Sequence, residues 1–473
     1  MQTIKIDPVT RIEGHAKITI DINDSGEVDN AHFHVTQFRG FEKFLQGRPF
    51  SEMASLTART CGICPISHEM SAGKAGDRLL AVEIPENAKK LRAIVNLGQI
   101  VQSHALSFFH LSSADFVYGF DANPSDRSIF NMINTHPEMA KEGIRLRKWG
   151  QQVIERIAGK RIHPAWVVPG GVSAPLEAQT REQILSEIPE MKTIARKALS
   201  FFKKEMGKFN EEVRALANFP SLFLGLVDEN GELDHYDGKP RIVNEKGEII
   251  ADRLDPQKYH EYIGEHVEEH SYLKSPYYIP YGYDKGMYRV GPLARLNVCD
   301  KCGTLEADSE WAEFRSLERN AILSSFHYHY ARLIEIMYGI EKIEQLLSEE
   351  SILDRHVRSF AQHNRFEAVG MSEAPRGMLL HHYKIDEHGI VNYANLIIAT
   401  GHNNLAMGKG ILQAAKHFVD GKNIKEGALN RVEAVIRCFD PCLSCSTHAA
   451  GKMPLNIEIR DKNQELIDRI TRD

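Results

Sequence analysis

No run of about 18 apolar residues occurs anywhere in this chain, so it encodes no membrane-spanning helix. There is no excess of base either: 58 Lys and Arg face 64 Asp and Glu, and the net charge of −6 excludes the basic stripe that nucleic-acid binding calls for. No Gly-x-Gly-x-x-Gly unit is present to seat a dinucleotide on a helix N-terminus. The opening Met-Gln-Thr-Ile-Lys-Ile-Asp-Pro lacks a charged segment followed by an apolar one, which points to the cytoplasm. Repeats and low-complexity linkers are missing too. What remains, 42% apolar and 26% charged residues over 473 positions, is the composition of an ordinary globular protein. Although that length is enough for two or three average domains, the unbroken texture reads as one body.

Cysteine is scarce, at seven residues, and its placement is informative. Cys61-Gly-Ile-Cys64 lies near one end, inside Arg59-Thr-Cys-Gly-Ile-Cys-Pro-Ile-Ser-His68; Cys442-Leu-Ser-Cys445 lies near the other, inside Arg437-Cys-Phe-Asp-Pro-Cys-Leu-Ser-Cys-Ser-Thr-His448. Each Cys-x-x-Cys can chelate one metal through a tight turn, and four thiolates suit zinc, iron or nickel rather than magnesium or calcium. A structural zinc site normally spaces its pairs ~15–20 residues apart in one small module. Two separate redox dithiols need a thioredoxin-like βαβ context, which neither flank offers. Disulfides do not suit a long chain without a secretory leader. A shared catalytic metal site is the reading left in front, and it requires folding to join the two ends of the chain. Cys299, Cys302 and Cys438 remain, too few for the four-cysteine set of an ordinary iron–sulfur cluster. The pair Cys299-Asp-Lys-Cys302 reads as structural or inert.

Both cysteine blocks resemble the signature motifs of the large subunit of nickel–iron hydrogenases. Asp7-Pro-Val-Thr-Arg-Ile-Glu-Gly-His15, Arg39-Gly-Phe-Glu42 and Glu373-Ala-Pro-Arg-Gly377 are similar to that family as well, and the five blocks run in the family's order from residue 7 to 448. His104-Ala-Leu-Ser-Phe-Phe-His-Leu-Ser-Ser113 and Gly291-Pro-Leu-Ala-Arg-Leu-Asn-Val298 resemble its cytoplasmic NAD-coupled branch.

The resemblance implies reversible splitting of dihydrogen at a nickel–iron centre whose iron carries carbon monoxide and two cyanides. By motif position, Cys61 and Cys442 are terminal on nickel, while Cys64 and Cys445 bridge to iron. The Cys442 sulfur is the base beside the metals, and Glu13 is the carboxylate that passes the proton outward. Glutamate suits that work because burial can lift its pKa towards the working pH. Arg376 overhangs the iron, its fork of donors able to bond a cyanide nitrogen, and Pro375, Asp115 and Asp440 join it in a canopy. Glu42 and His448 match ligands of a magnesium ion, with a backbone carbonyl from residues 399–403 as a third. His68, four residues past Cys64, is placed to hydrogen-bond that sulfur.

Partners follow from the same resemblance: an iron–sulfur small subunit, flavin and iron–sulfur diaphorase subunits that hand electrons to NAD or also to ferredoxin, nickel-insertion factors, and a maturation protease. The protease is expected to cut between Ala449 and Ala450, releasing residues 450–473 as a maturation extension. In that tail Leu455–Ile459 reads as a strand and Gln464–Ile470 as a short helix. The rivals are a metal-free quinone-oxidoreductase core subunit, which lacks the cysteine pairs, and a non-catalytic zinc protein.

In fold class the sequence reads as mainly α with small antiparallel sheets: a β-rich edge over 1–45, a helical core over 50–350 and a mixed part over 360–449. From Arg11 to Ile22 the even positions Ile12, Gly14, Ala16, Ile18, Ile20 and Ile22 alternate with polar odd ones, the mark of a half-buried strand. Asn23-Asp-Ser-Gly26 supplies its turn and Ala31–Phe38 the return strand. Pro65, directly after Cys64, fits the first turn of a helix. Further helices are expected at about 87–113, 138–158, 180–217, 308–348 and 404–419, from length and apolar spacing. Asp228–Gly231, Asn244–Gly247 and Tyr383–Val391 read as hairpin turns, the last followed by a strand at Asn395–Ala399.

Overall fold

The isoleucines of the N-terminal segment do line one face of a strand, but a shorter one than the alternation suggests. In the computed structural model, which describes residues 2–38, 40–447, 455–460 and 465–472, Gln2–Ile6, Ala16–Ile22 and Val28–Val35 form a three-stranded antiparallel sheet. Ile18, Ile20 and Ile22 are buried beneath it, with Phe33 and Val35 beside them. The stretch 11–15 stays outside the sheet. Arg11 and Gly14 take left-handed backbone angles (φ 56° and 91°), so pairing with Val28–Val35 cannot begin before Ala16.

The helical body is built from Glu86–Ala105, Pro137–Ala158, Ala178–Met206 and Tyr328–Ser348, packed against one another through apolar faces centred on Trp149, Leu91 and Phe202. Three expected helices are interrupted. The one over 180–217 stops at Gly207 and restarts as Asn210–Ala215, with Phe209 at the break buried against Phe116, Phe120 and Phe326. The one over 308–348 is two helices, Leu305–Arg315 and Tyr328–Ser348; between them the backbone of Ile322 is pinned at both ends by the Asn297 side chain. That side-chain clamp takes the place of helical hydrogen bonds. After Ala105 the helix widens into a π turn, Leu106–Ser112. The helices over 138–158 and 404–419 stand where expected, as Pro137–Ala158 and Asn404–Phe418.

Small sheets interrupt the helical part, as the turn-rich stretches suggest. Leu222–Val227, Lys239–Val243 and Ile249–Ala251 pair antiparallel, with Tyr288–Arg289 added parallel at the edge. A second sheet, Glu367–Ala374, Gly377–Ile385 and Val391–Ile397, lies on the helix Pro65–Leu80. Its tight connection at Pro375–Arg376 carries the block Glu373–Gly377, and its hairpin at Asp386–Ile390 is fastened to the backbone of Gly47, Arg48 and Phe50. In the tail, Leu455–Arg460 is a strand, but the expected helix at Gln464–Ile470 is not formed: Leu466–Arg472 pairs antiparallel with it. A single two-turn helix has too few hydrogen bonds to offset its nucleation, whereas a hairpin partner satisfies the backbone at once. Among the described residues no helix is long and apolar enough to cross a membrane.

Candidate metal centre

Residues 61–64 form the chelating turn that their spacing implies. The Cys61 sulfur accepts the N–H groups of Ile63 and Cys64, each at 3.2 Å, which curls the turn around it. Pro65 then opens the helix Pro65–Leu80 at a position where its missing N–H leaves no bond unmade.

The second pair arrives by a different route. Helix Glu426–Phe439 ends at Asp440, which adopts left-handed angles (φ 52°, ψ 60°), and Pro441 bars its continuation. The chain therefore turns, and Cys442 comes to lie alongside Glu13 in an isolated parallel bridge, with Leu443 N–H donating to the Glu13 carbonyl at 3.2 Å. The Glu13 carboxylate accepts the Ser444 N–H at 3.0 Å. Gly14 lets the two segments approach: a Cβ there would stand 2.6 Å from Leu443 Cβ, on a backbone at φ +91°.

The outcome is a cluster of four sulfurs within 4.8 Å of one another, all four cysteines buried. Across the pairs, Cys61 and Cys442 stand 3.3 Å apart and Cys64 and Cys445 3.8 Å. All seven cysteines are free thiols. The cluster cannot ionise fully on its own. Hydrogen bonds from Cys442, Cys445 and Cys61, with a smaller one from His68, hold the Cys64 thiol well below its ordinary value against the cost of burial. Burial and the neighbouring thiols hold Cys445 well above it. Several thiolates in so small a dry space need a cation, and sulfur donors select a soft or borderline one. The residues therefore fit a thiolate-bound metal centre.

Of the other residues singled out from the sequence, Arg376 and His68 lie close enough to the sulfurs to act on them. Arg376 is buried in the connection after Pro375; its guanidinium reaches the Asp440 carboxylate at 3.1 Å and the Ser103 hydroxyl at 3.2 Å. Burial works against its charge, but Asp440 and the sulfurs of Cys442, Cys64 and Cys61 outweigh that and hold it firmly protonated. Burial raises the Asp440 carboxyl despite Arg376 and Arg332. Asp115 is ion-paired to Arg11 at 2.7 Å and to Arg437 at 3.2 Å, so it anchors the segments leading to Glu13 and to Cys442. Those two arginines outweigh burial and keep Asp115 below the usual carboxylate range. His68 meets His381 (Nδ1 to Nε2, 3.1 Å), and His381 meets the Tyr383 hydroxyl at 2.7 Å, all three fully buried. Glu42, on the short helix Phe41–Leu45, accepts the Leu396 N–H at 3.0 Å, three residues before the helix Ala399–His402. His448, and with it the expected cut between Ala449 and Ala450, lies outside the described residues.

Sequence reasoning missed several supports. Thr400 Oγ1 accepts the Cys442 N–H at 2.8 Å, and His163 Nε2 donates to the Cys61 carbonyl at 2.8 Å. Farther along the first cysteine helix, Glu69 accepts the Ala165 N–H at 3.3 Å, and burial pushes it up to about 8. A lone Thr or His between motifs carries no local signal, since only the fold brings it to the cysteines.

A family model described as "Nickel-dependent hydrogenase" matches residues 39–142 and 225–448, and one described as "HoxL-like" matches residues 3–38. One component of the vhc F420-non-reducing hydrogenase of Methanococcus voltae is 39% identical over 97% of this chain and 98% of its own length. The NAD-reducing hydrogenase HoxS subunit beta of Cupriavidus necator is 36% identical over 99% of each. Among solved structures, an NAD+-reducing [NiFe]-hydrogenase in the H2-reduced state superposes with a TM-score of 0.92 at 40% identity, covering 95% of this chain and all of its own. The Ni-Fe-Se hydrogenase from D. vulgaris Hildenborough does so with a TM-score of 0.77 at 25% identity, covering 94% of this chain. With its sulfur cluster, its mainly helical fold and these matches along nearly all its length, the chain belongs to the nickel-dependent hydrogenase family, as the large, dihydrogen-oxidising subunit of a nickel–iron hydrogenase.

Proposed function

We propose that Cys61, Cys64, Cys442 and Cys445 hold a nickel–iron centre bearing carbon monoxide and cyanides. The observation that carries this reading is the convergence of four buried sulfurs from opposite ends of the chain. When bound, the centre supplies the electron-accepting metals at which dihydrogen parts into protons and electrons. The chain's own groups do the rest. Cys442, whose sulfur lies 3.3 Å from that of Cys61 and 2.7 Å from that of Cys445, holds the proton. Glu13, paired with Cys442 through the backbone, carries that proton outward. Arg376 and Pro375, under Asp440, form the wall over the site, and the Arg376 guanidinium offers its N–H donors to a cyanide. Asp115 keeps the Glu13 segment in place, and His68 steadies Cys64. Glu42 and His448 hold magnesium beside the C-terminal segment.

Metal analysis tests this directly. Nickel and iron in equal amount, with carbon monoxide and cyanide bands in the infrared, are expected of the active protein. Zinc alone, or no metal, would sink the reading in favour of the zinc-protein or metal-free alternatives.

Electrons then leave through a partner. The chain's three remaining cysteines do not make a cluster set, so an iron–sulfur small subunit takes the electrons and diaphorase subunits pass them to NAD, in the cytoplasm. The likeness to NAD-reducing hydrogenases supports this acceptor. A second reading, an acceptor other than NAD, draws on the 39% identity to an F420-non-reducing relative. Dihydrogen-dependent reduction of NAD by the purified complex favours the first; turnover with artificial dyes but not with NAD favours the second. Nickel-insertion factors and a protease complete the picture, the protease removing residues 450–473. The intact mass of the nickel-loaded large subunit is expected to end at Ala449, and an active subunit still ending at Asp473 would show that the tail stays.

A further inference from the structure

The block Gly291-Pro-Leu-Ala-Arg-Leu-Asn-Val298 has no part in the chemistry above, yet it lies directly behind the wall of the site. It forms the helix Pro292–Val298, and its first residue packs on the connection that carries Arg376: a Cβ on Gly291, at φ +92°, would stand 2.7 Å from the Arg376 carbonyl oxygen. One turn along, Arg295 points into a fully buried cluster of charge. Its Nε and Nη2 donate to the two oxygens of Glu335 at 2.7 and 2.6 Å, and its Nη1 donates to Glu373 at 2.7 Å. The same Nη1 and Nη2 also donate to the carbonyls of Ala374 and Pro375, at 2.9 and 3.1 Å. All three charged side chains have no exposed surface.

Glu335 is braced from its far side by His104, whose Nε2 lies 2.7 Å away. Burial drives the His104 pKa down to about 3, so the ring is neutral and serves as a hydrogen-bond donor to the carboxylate. Arg295 is therefore gripped by a carboxylate on the helix Tyr328–Ser348 and by another at the end of the strand Glu367–Ala374. It spends its remaining donors on the two carbonyls immediately before Arg376.

We propose that Arg295 is a positioning residue for this hydrogenase: clamped by Glu335 and Glu373, it fixes the Ala374 and Pro375 carbonyls and so aims the Arg376 guanidinium at the four-cysteine cluster. Strands Glu367–Ala374 and Gly377–Ile385 pair up to Ala374 and Gly377, leaving only Pro375 and Arg376 to make the connection. Proline brings no N–H, so the backbone of this connection has one donor fewer to fasten it. Buried carbonyls need donors, and a planar guanidinium with five of them can serve two carboxylates and two carbonyls at once. A lysine keeps the charge but not the fork.

This inference rests on the reading of Arg376 as the wall of the site, and the test separates the two. Arg295→Lys, Glu335→Gln and Arg376→Lys are made in the assembled, metal-loaded enzyme. Nickel content, cyanide band positions and the kcat and KM for dihydrogen are then measured. Arg376→Lys reports whether that guanidinium senses the centre at all. If Arg295 positions it, Arg295→Lys retains nickel, moves the cyanide bands as Arg376→Lys does, and lowers kcat by about 100-fold with KM little changed, the scale expected of a small misplacement at a reacting centre. Glu335→Gln, which loosens the clamp but keeps the arginine, moves the bands the same way by less, and it carries the test if Arg295→Lys does not fold. Bands that move in Arg376→Lys but stay in place in both other variants overturn the positioning role and leave Arg376 its place. Bands that stay in place in all three overturn the Arg376 reading and the inference with it. Lower nickel occupancy with unshifted bands in the loaded fraction marks Arg295 as a folding residue only and also overturns the proposal.

Discussion

Glu13→Gln is expected to lower hydrogen turnover by about a hundredfold to ten-thousandfold, the range in which a positioned proton-transfer group acts, while nickel content and thermal stability stay at wild-type values. The stability half of this expectation comes from what the side chain does in the fold. Among the described residues its carboxylate accepts one backbone N–H, from Ser444, and its other tie to the cysteine segment runs through the main chain, with Leu443 N–H donating to its carbonyl. A glutamine oxygen can accept the same N–H, and the main-chain tie is untouched. Only ionisation is lost. Proton–deuterium exchange read by mass spectrometry isolates that step. Exchange at the wild-type rate in the glutamine variant would remove Glu13 from the proton route, whatever the variant does to electron transfer.

Cys442→Ser is expected to abolish activity and to strip nickel from the protein, with the polypeptide still folded. Three observations set that expectation. The Cys442 sulfur is the meeting point of the cluster, 3.3 Å from Cys61 and 2.7 Å from Cys445. Its N–H is fastened by Thr400 and its chain neighbours by Glu13, so a serine will keep the same backbone path. The apolar core over Leu91, Trp149, Phe202 and Tyr330 is separate from the small cluster around the cysteines, so most of the buried surface is unaffected. A hydroxyl, in contrast, is a poor ligand for the metals that thiolates select. Nickel content by elemental analysis, alongside a circular dichroism melt, checks both halves; stoichiometric nickel with residual turnover would show that three sulfurs suffice.

Much of the site was legible before folding because its instructions are local. Two residues between cysteines permit one chelating turn, and Pro65 after Cys64 marks a helix start, so Cys61 and Cys64 stand as their spacing implies. The turn at Asn23–Gly26 and the hairpin over residues 383–391 were equally readable, since turn residues and period-2 runs act within a few positions. The same local logic misled where a distant partner prevailed. Residues 11–15 alternate like a strand, but Cys442 and Leu443 claim the backbone of Glu13, and left-handed angles at Arg11 and Gly14 break the sheet there. Apolar spacing ran one helix from 308 to 348, yet Asn297 clamps Ile322 and opens it.

By itself, then, the sequence determined the donor set: four thiols in two chelating pairs, a glutamate and arginines within fixed blocks, and a mainly helical chain to carry them. Only the tertiary structure decided the partners. Asp115 belongs to Arg11 and Arg437, Asp440 to Arg376, and Arg295 to Glu335, Glu373 and the carbonyls ahead of Arg376. The reason is physical. A buried charge is tolerable only opposite a matched charge or a set of donors, and those come from elements far apart in the chain, so no local pattern records which arginine will meet which carboxylate.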